Sequence, residues 1–431
     1  MSDAGFEPLW VSAVEVACPI EDLAPPVNEQ GLPFTRARLL TLVHGTPVGF
    51  VRVPLEDGRL PAAGLVEAVN RQIGPHVAAH LRADGLPAAT LGPQGFEPVE
   101  DAPCTRCGPH PERAEGLASV IVCTRDRAAA LEVALRGILT SARGNFEVVV
   151  VDNAPSTSAT RDVVEALGDA RLRYVLEPRP GLSRARNRGV QEAAGDLLVF
   201  TDDDVRIEPG WLGALLGGLT RAPTVGCVSG PVFAAELATP SQLYFESRVR
   251  WSELLTQRIY DLDANRRDDP MYPYSAGHFG TGANFAADRA TWVALGGMDP
   301  LLGTGTSTMG GEDLDFFLRV LLSGRALAIE PRAVVWHYHR RDADQLPRQM
   351  YGYGVGLAAY ACKHLLSPRT GPAIARRFPA ALRTVAQDSR GTSEAAEVEL
   401  DLSSNELRGL LAGGPRYLAS RVRARRAGGG S

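Results

Sequence analysis

Long hydrophobic runs are missing from this sequence of 431 residues. No stretch reaches the roughly 18 uninterrupted apolar residues that a membrane-spanning helix requires. The first residues, Met-Ser-Asp-Ala-Gly-Phe-Glu, also lack the basic and apolar regions of a secretory signal peptide. We therefore expect the protein to be cytoplasmic.

An excess of positive charge is absent as well. The formal net charge is −5, so we expect neither nucleic acid nor an anionic membrane to attract the chain as a whole. The one local exception is a basic C-terminal tail, which we interpret as a solvated chain end; its arginines are Arg416, Arg421, Arg423, Arg425 and Arg426. Cysteines number only six, and their scatter through apolar runs indicates reduced core residues rather than a disulfide framework.

The chain is longer than one typical domain, and its pattern divides it into four parts. Residues 1–91 combine strand-like runs with one helical stretch, which predicts a small α+β module whose role the sequence does not indicate. Residues 92–116 are a linker rich in Pro, Gly and Glu. The catalytic candidate occupies residues 117–342, and residues 343–431 form a C-terminal helical extension with the basic tail.

The linker holds Cys104, Cys107 and His110. Two cysteines separated by two residues, with a histidine nearby, could supply part of a zinc site. Structural zinc needs four ligands, and a second pair is missing, so we favour an ordinary linker.

From Ser119 onward, short apolar runs alternate with helical stretches. The pattern predicts strands at 119–124, 147–152, 173–176, 196–201 and 225–229, and helices at 128–141, 160–167, 183–194 and 209–221. Apolar strands joined by crossover helices indicate a doubly wound, mostly parallel sheet of the α/β class. Ligands of such sheets bind beyond the carboxyl ends of the strands.

Three consecutive aspartates follow the fourth of these strands. In extended backbone, Asp202 and Asp204 point to the same side while Asp203 points away. Two carboxylates about 7 Å apart repel each other unless a cation joins them. Mg²⁺ and Mn²⁺ take such oxygen ligands and usually complete their shell with substrate phosphates. We favour a metal site here over an acidic turn that caps the next helix.

One arginine is predicted to face the protein interior. Helical phase places Arg186 in the middle of an apolar face, whereas Arg184 and Arg188 point elsewhere. A buried guanidinium requires anionic partners. The strand-end aspartates or a bound diphosphate would serve, and a purely structural pair with Asp202 is the alternative.

A pair of acids opens another helix after Gly310-Gly311. Its phase places Asp313 beside the apolar face and directs Glu312 away, so Asp313 is the better candidate for a group in the crevice. Acids in the first turn are also stabilised by the helix dipole, which offers a structural explanation for both.

The glycine-rich turn of dinucleotide-binding sheets is missing. Its G-x-G-x-x-G pattern should follow the first strand, but Thr124-Arg125-Asp126-Arg127 stands there. A nicotinamide- or flavin-dependent oxidoreductase is therefore not expected.

Together these segments resemble the family 2 glycosyltransferases, which are inverting enzymes with the GT-A fold. The resemblance covers about half of the chain and lies in Ser119–Arg127, Val149–Asn153, Arg179–Val190, Thr201–Asp204 and Gly310–Phe317. It implies a GT-A-type sheet and a nucleotide-sugar donor. It further implies that Thr124, Arg125 and Asp152 contact the nucleotide, and that Arg186 lies near the diphosphate.

The resemblance also implies roles for the acids. Asp202 to Asp204 match a DxD-type site, with Asp202 and Asp204 on the metal and Asp202 and Asp203 on the donor. Because this chain has three aspartates in a row, the metal-binding pair is ambiguous. His337 is implied as a third metal ligand, and Asp313 as the general base.

Acceptor contacts are expected from Trp251, Asn284 and Glu312. Trp251 belongs to an aromatic-rich segment whose rings could stack on a sugar, although half or more of them should be core residues. Asn284 ends a Gly-Thr-Gly-Ala-Asn turn and could bond a hydroxyl. The later segment 346–366 either packs on the core, which we favour, or touches a lipid-linked acceptor at a membrane surface.

The sequence thus predicts an inverting hexosyl- or deoxyhexosyltransferase that depends on Mg²⁺ or Mn²⁺. A UDP- or dTDP-sugar is the expected donor, with a GDP-sugar as the alternative, and the acceptor is a sugar, a lipid-linked molecule or another small molecule. Two other functions compete. A sugar nucleotidyltransferase would need a glycine-rich basic loop after the first strand, and a non-catalytic nucleotide-sugar-binding protein would not need Asp313.

Overall fold

The computed structural model describes residues 6–96, 116–249, 251–377 and 403–428. Cys104, Cys107 and His110, the three candidate zinc ligands of the linker, lie outside these residues.

The N-terminal module is a three-stranded sheet covered by one helix. Strand β2 pairs in parallel with β1 and forms an antiparallel hairpin with β3. The apolar residues that recur at helical spacing in α1 are buried against this sheet. The α+β composition predicted from the sequence is therefore present, with these bounds: β1 (Leu9–Glu15), β2 (Arg36–Val43), β3 (Thr46–Pro54) and α1 (Ala62–Ala83).

The second part alternates strands and helices, as predicted. Up to the middle of the sheet the elements are β4 (Ala118–Thr124), α2 (Ala128–Ser141), β5 (Phe146–Asn153), α3 (Ala159–Leu167), β6 (Leu172–Glu177), α4 (Leu182–Glu192), β7 (Leu197–Thr201), β8 (Val205–Ile207), α5 (Trp211–Leu219) and β9 (Val225–Ser229). The later elements are β10 (Val232–Ala234), α6 (Pro240–Val249), β11 (Arg258–Tyr260), β12 (Asn284–Asp288), α7 (Arg289–Leu295), α8 (Glu312–Leu322), β13 (Ala326–Ile329), β14 (Val335–His337) and α9 (Leu346–Leu365).

Eight of these strands form one sheet, in the order β11-β13-β9-β12-β7-β4-β5-β6. The pairs among β7, β4, β5 and β6 are parallel, as is β13 with β9. Only β12 and β11 run against their neighbours. The predicted α/β class with a mostly parallel sheet is confirmed.

Helices cover both faces of this sheet, which makes the fold doubly wound. One apolar cluster joins the sheet to α2, α3 and α5 through residues such as Leu131, Val164 and Trp211. The opposite cluster joins it to α4, α7 and α8 through Ala185, Trp292 and others. The carboxyl ends of the parallel strands β4, β5 and β7 lie at one edge of the sheet, where ligands of such folds bind.

A second, smaller sheet of order β10-β14-β8 packs between the large sheet and the N-terminal module. Leu40 and Phe50 of the module contact Phe233 and Trp336 of this small sheet. The same sheet delivers His337, at the end of β14, to the edge of the large sheet.

Two long helices complete the described structure. Helix α9 buries Met350, Val355 and Tyr360, so the predicted packing is present, but Tyr353 and Leu357 stay exposed. It packs along a C-terminal helix that spans Ser403–Gly428 and contains the basic tail. The tail is therefore helical rather than an unstructured end. None of the helices in the described ranges is long and apolar enough to cross a membrane.

Candidate active site

The chain reverses direction across the sheet at β4, and the candidate site lies at that point. Strands β5 and β6 follow on one side of β4, whereas β7 lies on the other. Because β4 and β7 are parallel, their carboxyl ends lie at one edge. Thr124 ends β4, and its hydroxyl donates a hydrogen bond of 2.6 Å to Oδ2 of Asp203 beyond β7. The residues at the ends of β4 and β7 are therefore in direct contact at the point where the chain reverses direction.

The alternation of the three aspartates is as predicted. Asp202, Asp204 and His337 present ligand atoms within 4.8 Å of one another. Asp203 turns instead to Thr124 and to Arg127, whose Nη1 lies 2.8 Å from Asp203 Oδ1. His337 joins the acids because β14 pairs with β8, which places it opposite Val205 and brings its Nε2 within 3.1 Å of Asp204 Oδ1.

Burial and charge act against each other in this cluster. Burial raises the pKa of Asp202, and it raises the pKa of Asp203 to about 6. Burial alone would also raise the pKa of Asp204, but His337 and Arg127 outweigh it and hold that pKa well below its usual range. The pKa of His337 is raised, because Asp204 overcomes the effect of burial. Nearby cations thus outweigh burial for Asp204 but not for Asp202 and Asp203.

Carboxyl groups outnumber the permanently cationic side chains in the site. The permanent cations in contact with the acids are the guanidinium groups of Arg127 and Arg186. The carboxylates are more numerous: Asp202, Asp203, Asp204, Glu312 and Asp313. Oxygen ligands with one imidazole suit Mn²⁺ or Mg²⁺, and a divalent cation would offset the surplus. The donor set therefore fits the implied metal.

Arg186 lies at the centre of the site and is only 2% exposed. Its Nη2 lies 3.4 Å from Asp202 and donates a 2.8 Å hydrogen bond to the Gly282 carbonyl, while its Nη1 lies 3.2 Å from Glu312. Arg188, on the outer side of α4, pairs with Glu192 near the surface. The predicted inward orientation of Arg186, and its contact with a strand-end aspartate, are confirmed.

The orientation predicted for Glu312 is wrong. Glu312 does not point away: it is 5% exposed and bonds Arg186. The start of α8 lies against α4, so a first-turn residue that helical phase alone directs outward becomes interior and places its carboxyl group beside Arg186. Because Glu312 is buried beside Arg186, little of its side-chain surface is accessible for the predicted contact with the acceptor. Asp313 is half-buried and accepts hydrogen bonds of 2.8 Å from the Gly282 and Leu314 N–H groups.

The site of Glu312 yields a pH-dependent prediction. Burial, reinforced by Asp313, raises the pKa of Glu312 to about 7, so between about pH 4.3 and pH 7 the folded chain holds a proton that the unfolded chain releases. The stability this provides is complete below that window and is lost as the pH rises through it. Glu312→Gln mimics the protonated side chain. The free energy of unfolding of the variant should therefore increase relative to that of the wild type when the pH is raised from 5 to 8, by on the order of 1–3 kcal/mol.

Chemical denaturation at the two pH values, in the presence of a chelator, measures this difference. Glu132→Gln on the exposed face of α2 is the control, since Glu132 pairs only with Arg136 at the surface among the described residues. A pH-independent difference for Glu312→Gln would show that Glu312 stays ionised throughout.

Asp315, a further acid of this helix that could have served as a base, has a structural role. It is fully buried and bonds Arg319, Lys363 and His364. Burial would raise the pKa of Asp315, but these partners hold it well below its usual range. A carboxylate so firmly ionised and enclosed is a poor proton acceptor for a substrate.

The expected nucleotide contacts differ in accessibility. Asp152 is fully buried at the end of β5 and accepts a 3.0 Å hydrogen bond from the Tyr174 hydroxyl. Its Oδ1 has no hydrogen-bond partner among the described residues, and burial raises its pKa. Arg125 is exposed and only loosely associated with Asp126, at 3.9 Å. The carboxylate of Asp152 is therefore enclosed, whereas the exposed guanidinium of Arg125 is accessible to a nucleotide.

The prediction that Asn284 contacts the acceptor is wrong. It is fully buried, its amide donates to the carbonyls of Pro231 and Ala333, and its oxygen accepts from Trp211 Nε1. A turn sequence suggested an exposed amide, but the residue begins β12 in the middle of the sheet.

Trp251 remains a candidate for acceptor contact. It is half-buried, with its ring 6.1 Å from that of His337. Most other aromatic residues of the same segment are core, as expected; Phe245, Tyr260, Tyr272 and Tyr274 are buried.

Sequence reasoning missed two polar contributors to this site. Arg127 clamps Asp203 and Asp204 at 2.8 and 2.7 Å. It was visible three residues after Thr124, but nothing local distinguishes it from an exposed arginine. His339 lies behind His337, with the two rings tilted by 48° and a 3.1 Å contact between their Nδ1 atoms. Alternation along a strand puts residues two apart on the same side, but it indicates no partner for His339.

Residues 119–279 match the family described as Glycosyl transferase family 2. A pre-mycofactocin glycosyltransferase of Mycobacterium tuberculosis is 29% identical over 247 residues, which are 57% of this chain and 48% of the relative. Polypeptide N-acetylgalactosaminyltransferase 5 of Caenorhabditis elegans is 28% identical over 209 residues, 45% of this chain and 32% of the relative. The chain thus spans about half, or less, of the length of these relatives.

Two solved structures are also similar. A mannosyltransferase of Pyrobaculum calidifontis in complex with GDP-Man and Mn²⁺ has 22% identity and a TM-score of 0.46, covering 71% of this chain and 88% of that one. GalNAc-T7 with UDP, GalNAc and Mn²⁺ has 15% identity and a TM-score of 0.41, covering 58% and 51%.

Proposed function

We propose, from the premise that residues 119–279 form a family 2 glycosyltransferase domain, that the protein transfers a sugar from a nucleotide-sugar to an acceptor hydroxyl with inversion. The observation that carries the proposal is the meeting of Asp202, Asp204 and His337 at one edge of the sheet, beside the buried Arg186. Such a site concentrates oxygen ligands and positive charge where a diphosphate would have to bind.

Different residues would bind the metal, the diphosphate and the nucleotide. Asp202, Asp204 and His337 would hold Mg²⁺ or Mn²⁺, which supplies positive charge for a departing diphosphate. Arg186 lies next to Asp202 and would donate hydrogen bonds to the same group. Thr124, Arg125, Asp152 and Asp203 would fix the nucleotide at the ends of β4, β5 and β7.

Asp313 would serve as the general base. It would take the proton of the acceptor hydroxyl while that oxygen bonds to the anomeric carbon and the bond from this carbon to the nucleoside diphosphate breaks. A single displacement by one base inverts the configuration of the anomeric carbon. Of the acids that open α8, Asp313 is the one that is not buried, since Glu312 and Asp315 are enclosed.

The substrates follow from the family only in outline. We propose a UDP- or dTDP-hexose or deoxyhexose as donor, with a GDP-sugar as the alternative. The acceptor would be a sugar, a lipid-linked molecule or another small molecule, stacked against Trp251. We further propose that the catalytic domain spans residues 117–342, since β4 begins at Ala118 and β14 ends at His337.

A screen of nucleotide-sugars with Mn²⁺ tests the function directly. The expected result is a rise in melting temperature with one nucleotide class, followed by slow release of nucleoside diphosphate from the matching donor. Binding without any release in the presence of varied acceptors would support a non-catalytic sugar-binding protein. Formation of pyrophosphate from a nucleoside triphosphate and a sugar phosphate would instead indicate a nucleotidyltransferase.

Arg186 and Arg188 provide a matched pair on one helix. Arg186→Lys keeps the charge but loses the planar fork of donors, so it should weaken donor binding by about tenfold or more. Arg188→Lys, on the outer side of α4, should change donor affinity by less than about twofold. Calorimetric titration of each folded variant with the donor measures both. Equal effects of the two substitutions would show that Arg186 does not contact the donor.

A further inference from the structure

A chain of buried polar side chains connects the N-terminal module to the candidate metal site. Arg38 of β2 donates from Nη1 to Glu246 Oε1 at 2.8 Å, and Glu246 Oε2 lies 3.0 Å from His339 Nε2. His339 Nδ1 lies 3.1 Å from Nδ1 of His337. The first three members are 5%, 3% and 2% exposed, respectively. The chain from Arg38 to His339 is therefore buried over its length and reaches His337, which is partly exposed.

One distribution of protons allows His337 to bind a metal and also satisfies every contact in the chain. For its Nε2 to offer a lone pair, the proton of His337 must be on Nδ1. That N–H donates to His339 Nδ1, so the proton of His339 must be on Nε2. There it donates to the Glu246 carboxylate, which Arg38 keeps paired. The distant ion pair thus determines which nitrogen of His337 is free.

We propose that the N-terminal module is a positioning element for the metal site, acting through Arg38. Together with Glu246 and His339, Arg38 fixes the ring orientation and the tautomer of His337, as outer-shell partners of metal-binding histidines do. The inference rests on the proposed metal site and gives the module a role in it.

The packing of the module supports this role. The Arg38 guanidinium lies 3.9 Å from the ring centroid of Phe50, which meets Phe233 edge-on at 5.1 Å. Phe233 in turn lies 5.4 Å from Trp336, the residue before His337. A series of aromatic contacts therefore runs beside the polar chain, from Arg38 of the module to the residue before His337.

Mn²⁺ affinity of the full-length protein, measured by calorimetry without donor or acceptor, tests the proposal. Glu246→Gln is nearly isosteric and should raise the Mn²⁺ dissociation constant by roughly 10–100-fold, and Arg38→Met should have a similar effect. Arg38→Lys, which can still pair with Glu246, should stay within about threefold of wild type. Arg36→Met is the control, because Arg36 lies on the same strand in a half-exposed pair with Glu7.

The measured Mn²⁺ affinities distinguish a failure of the proposed metal site from a failure of the proposed role of the polar chain. No Mn²⁺ binding by the wild type would overturn the proposed metal site itself. Binding by the wild type with unchanged affinity in folded Glu246→Gln would overturn only the role of the chain. Should Arg38→Met fail to fold, Glu246→Gln and Arg38→Lys decide the question.

A second inference rests on the C-terminal helix, Ser403–Gly428, whose outer face is apolar. Its inner face is buried, through Gly409, Gly413, Tyr417 and Ser420. On the outer face Leu407, Leu411, Leu418 and Val422 are 58%, 73%, 44% and 48% exposed. At 100° per residue these four fall within an arc of about 60°. We call them the leucine stripe.

Arginines accompany the leucine stripe. Exposed guanidinium groups stand beside it or beyond its end, namely those of Arg408, Arg423, Arg425 and Arg426. The helix has a single acid, Glu406, and that carboxylate pairs with Arg248. A chain of net charge −5 thus places a cluster of positive charge beside the apolar outer face of this helix.

We infer that this helix binds the surface of an anionic membrane. Leucines would enter the acyl boundary while the arginines contact lipid phosphates. A nucleic acid would use the arginines but would leave the leucine stripe in water, so the combination favours lipid. The helix would lie on the membrane without crossing it.

Sedimentation of the full-length protein with lipid vesicles tests this inference. Binding is expected to phosphatidylcholine vesicles that contain phosphatidylglycerol, much less to phosphatidylcholine alone, and to weaken with salt. Changing Leu411 and Leu418 together to Glu should reduce binding by roughly tenfold or more. Val293→Glu is the control, because Val293 is 66% exposed on α7, away from the stripe.

Failure of the wild type to bind the anionic vesicles would overturn the inference, and so would unaltered binding by the double variant. A stable dimer in light scattering that the double variant abolishes, without any binding to vesicles, would show that the leucine stripe contacts a second copy instead.

Discussion

Replacing Asp313 by asparagine should lower kcat by about 10²–10⁴-fold while donor affinity and melting temperature stay near wild type. Asparagine keeps the shape of the side chain, and its single amide oxygen can still accept a hydrogen bond from one of the two N–H groups, of Gly282 and Leu314, that Asp313 binds through separate oxygens. It cannot accept the proton of the acceptor hydroxyl. Initial rates at saturating donor, with calorimetry of donor binding on the same preparation, separate the loss of chemistry from a loss of binding.

The matched control is Asp288→Asn. Asp288 caps α7 by accepting a hydrogen bond from the Thr291 N–H, and it lies at the opposite end of the strand pair from the site. Asparagine is also a good helix cap, so turnover should fall by less than about threefold and stability by under about 1 kcal/mol. A mild effect of Asp313→Asn, similar to that of the control, would remove Asp313 as the base. A severe loss in Glu312→Gln with a mild one in Asp313→Asn would move the assignment by one residue.

The second large effect concerns the metal. Complete removal of divalent ions should abolish transfer, and Asp204→Asn should lower kcat/KM by about 10²-fold or more at low Mn²⁺, with partial recovery as Mn²⁺ is raised. Asp204 is the acid that contacts both His337 and Arg127, so its loss removes one metal ligand and one partner of each cation. Activity against Mn²⁺ concentration, for variant and wild type, gives the apparent metal affinity.

Asp196→Asn is a suitable control, because its side chain is 91% exposed at the amino end of β7. It should leave the Mn²⁺ requirement unchanged. Full activity of the wild type in excess chelator, after metal analysis confirms removal, would contradict the proposed mechanism. His337→Ala should likewise raise the Mn²⁺ concentration needed for half-maximal activity; an unchanged requirement would leave His337 with a structural role.

Local patterns in the sequence were sufficient for the sheet and for part of the site. The strands that end at Thr124, Asn153 and Thr201 are apolar on both faces, and a buried parallel sheet is the arrangement that suits such strands. Since parallel strands end at one edge, the aspartates after β7 could be assigned to the same crevice as Thr124. Alternation along extended backbone then separated Asp203 from its neighbours, and helical phase turned Arg186 inward.

Phase and alternation, however, describe a side chain relative to its own element only. Glu312 leaves α8 in a direction that would be solvent for an isolated helix, but α4 lies there with Arg186. Asn284 follows a glycine turn, but β12 inserts it between β7 and β9, where its amide is fully buried. Both errors arose because neighbours distant in the sequence determine burial.

What the sequence by itself determined is therefore the class of fold, the edge of the sheet at which the candidate site lies, and the acids that follow β7. Only the tertiary structure decided which groups meet those acids. The pairing of β14 with β8 brings His337 to Asp204, and the docking of the N-terminal module brings Arg38 within reach of Glu246. These contacts join residues that are far apart in the chain. Strand register and domain packing determine them, and both depend on the whole core rather than on any local pattern.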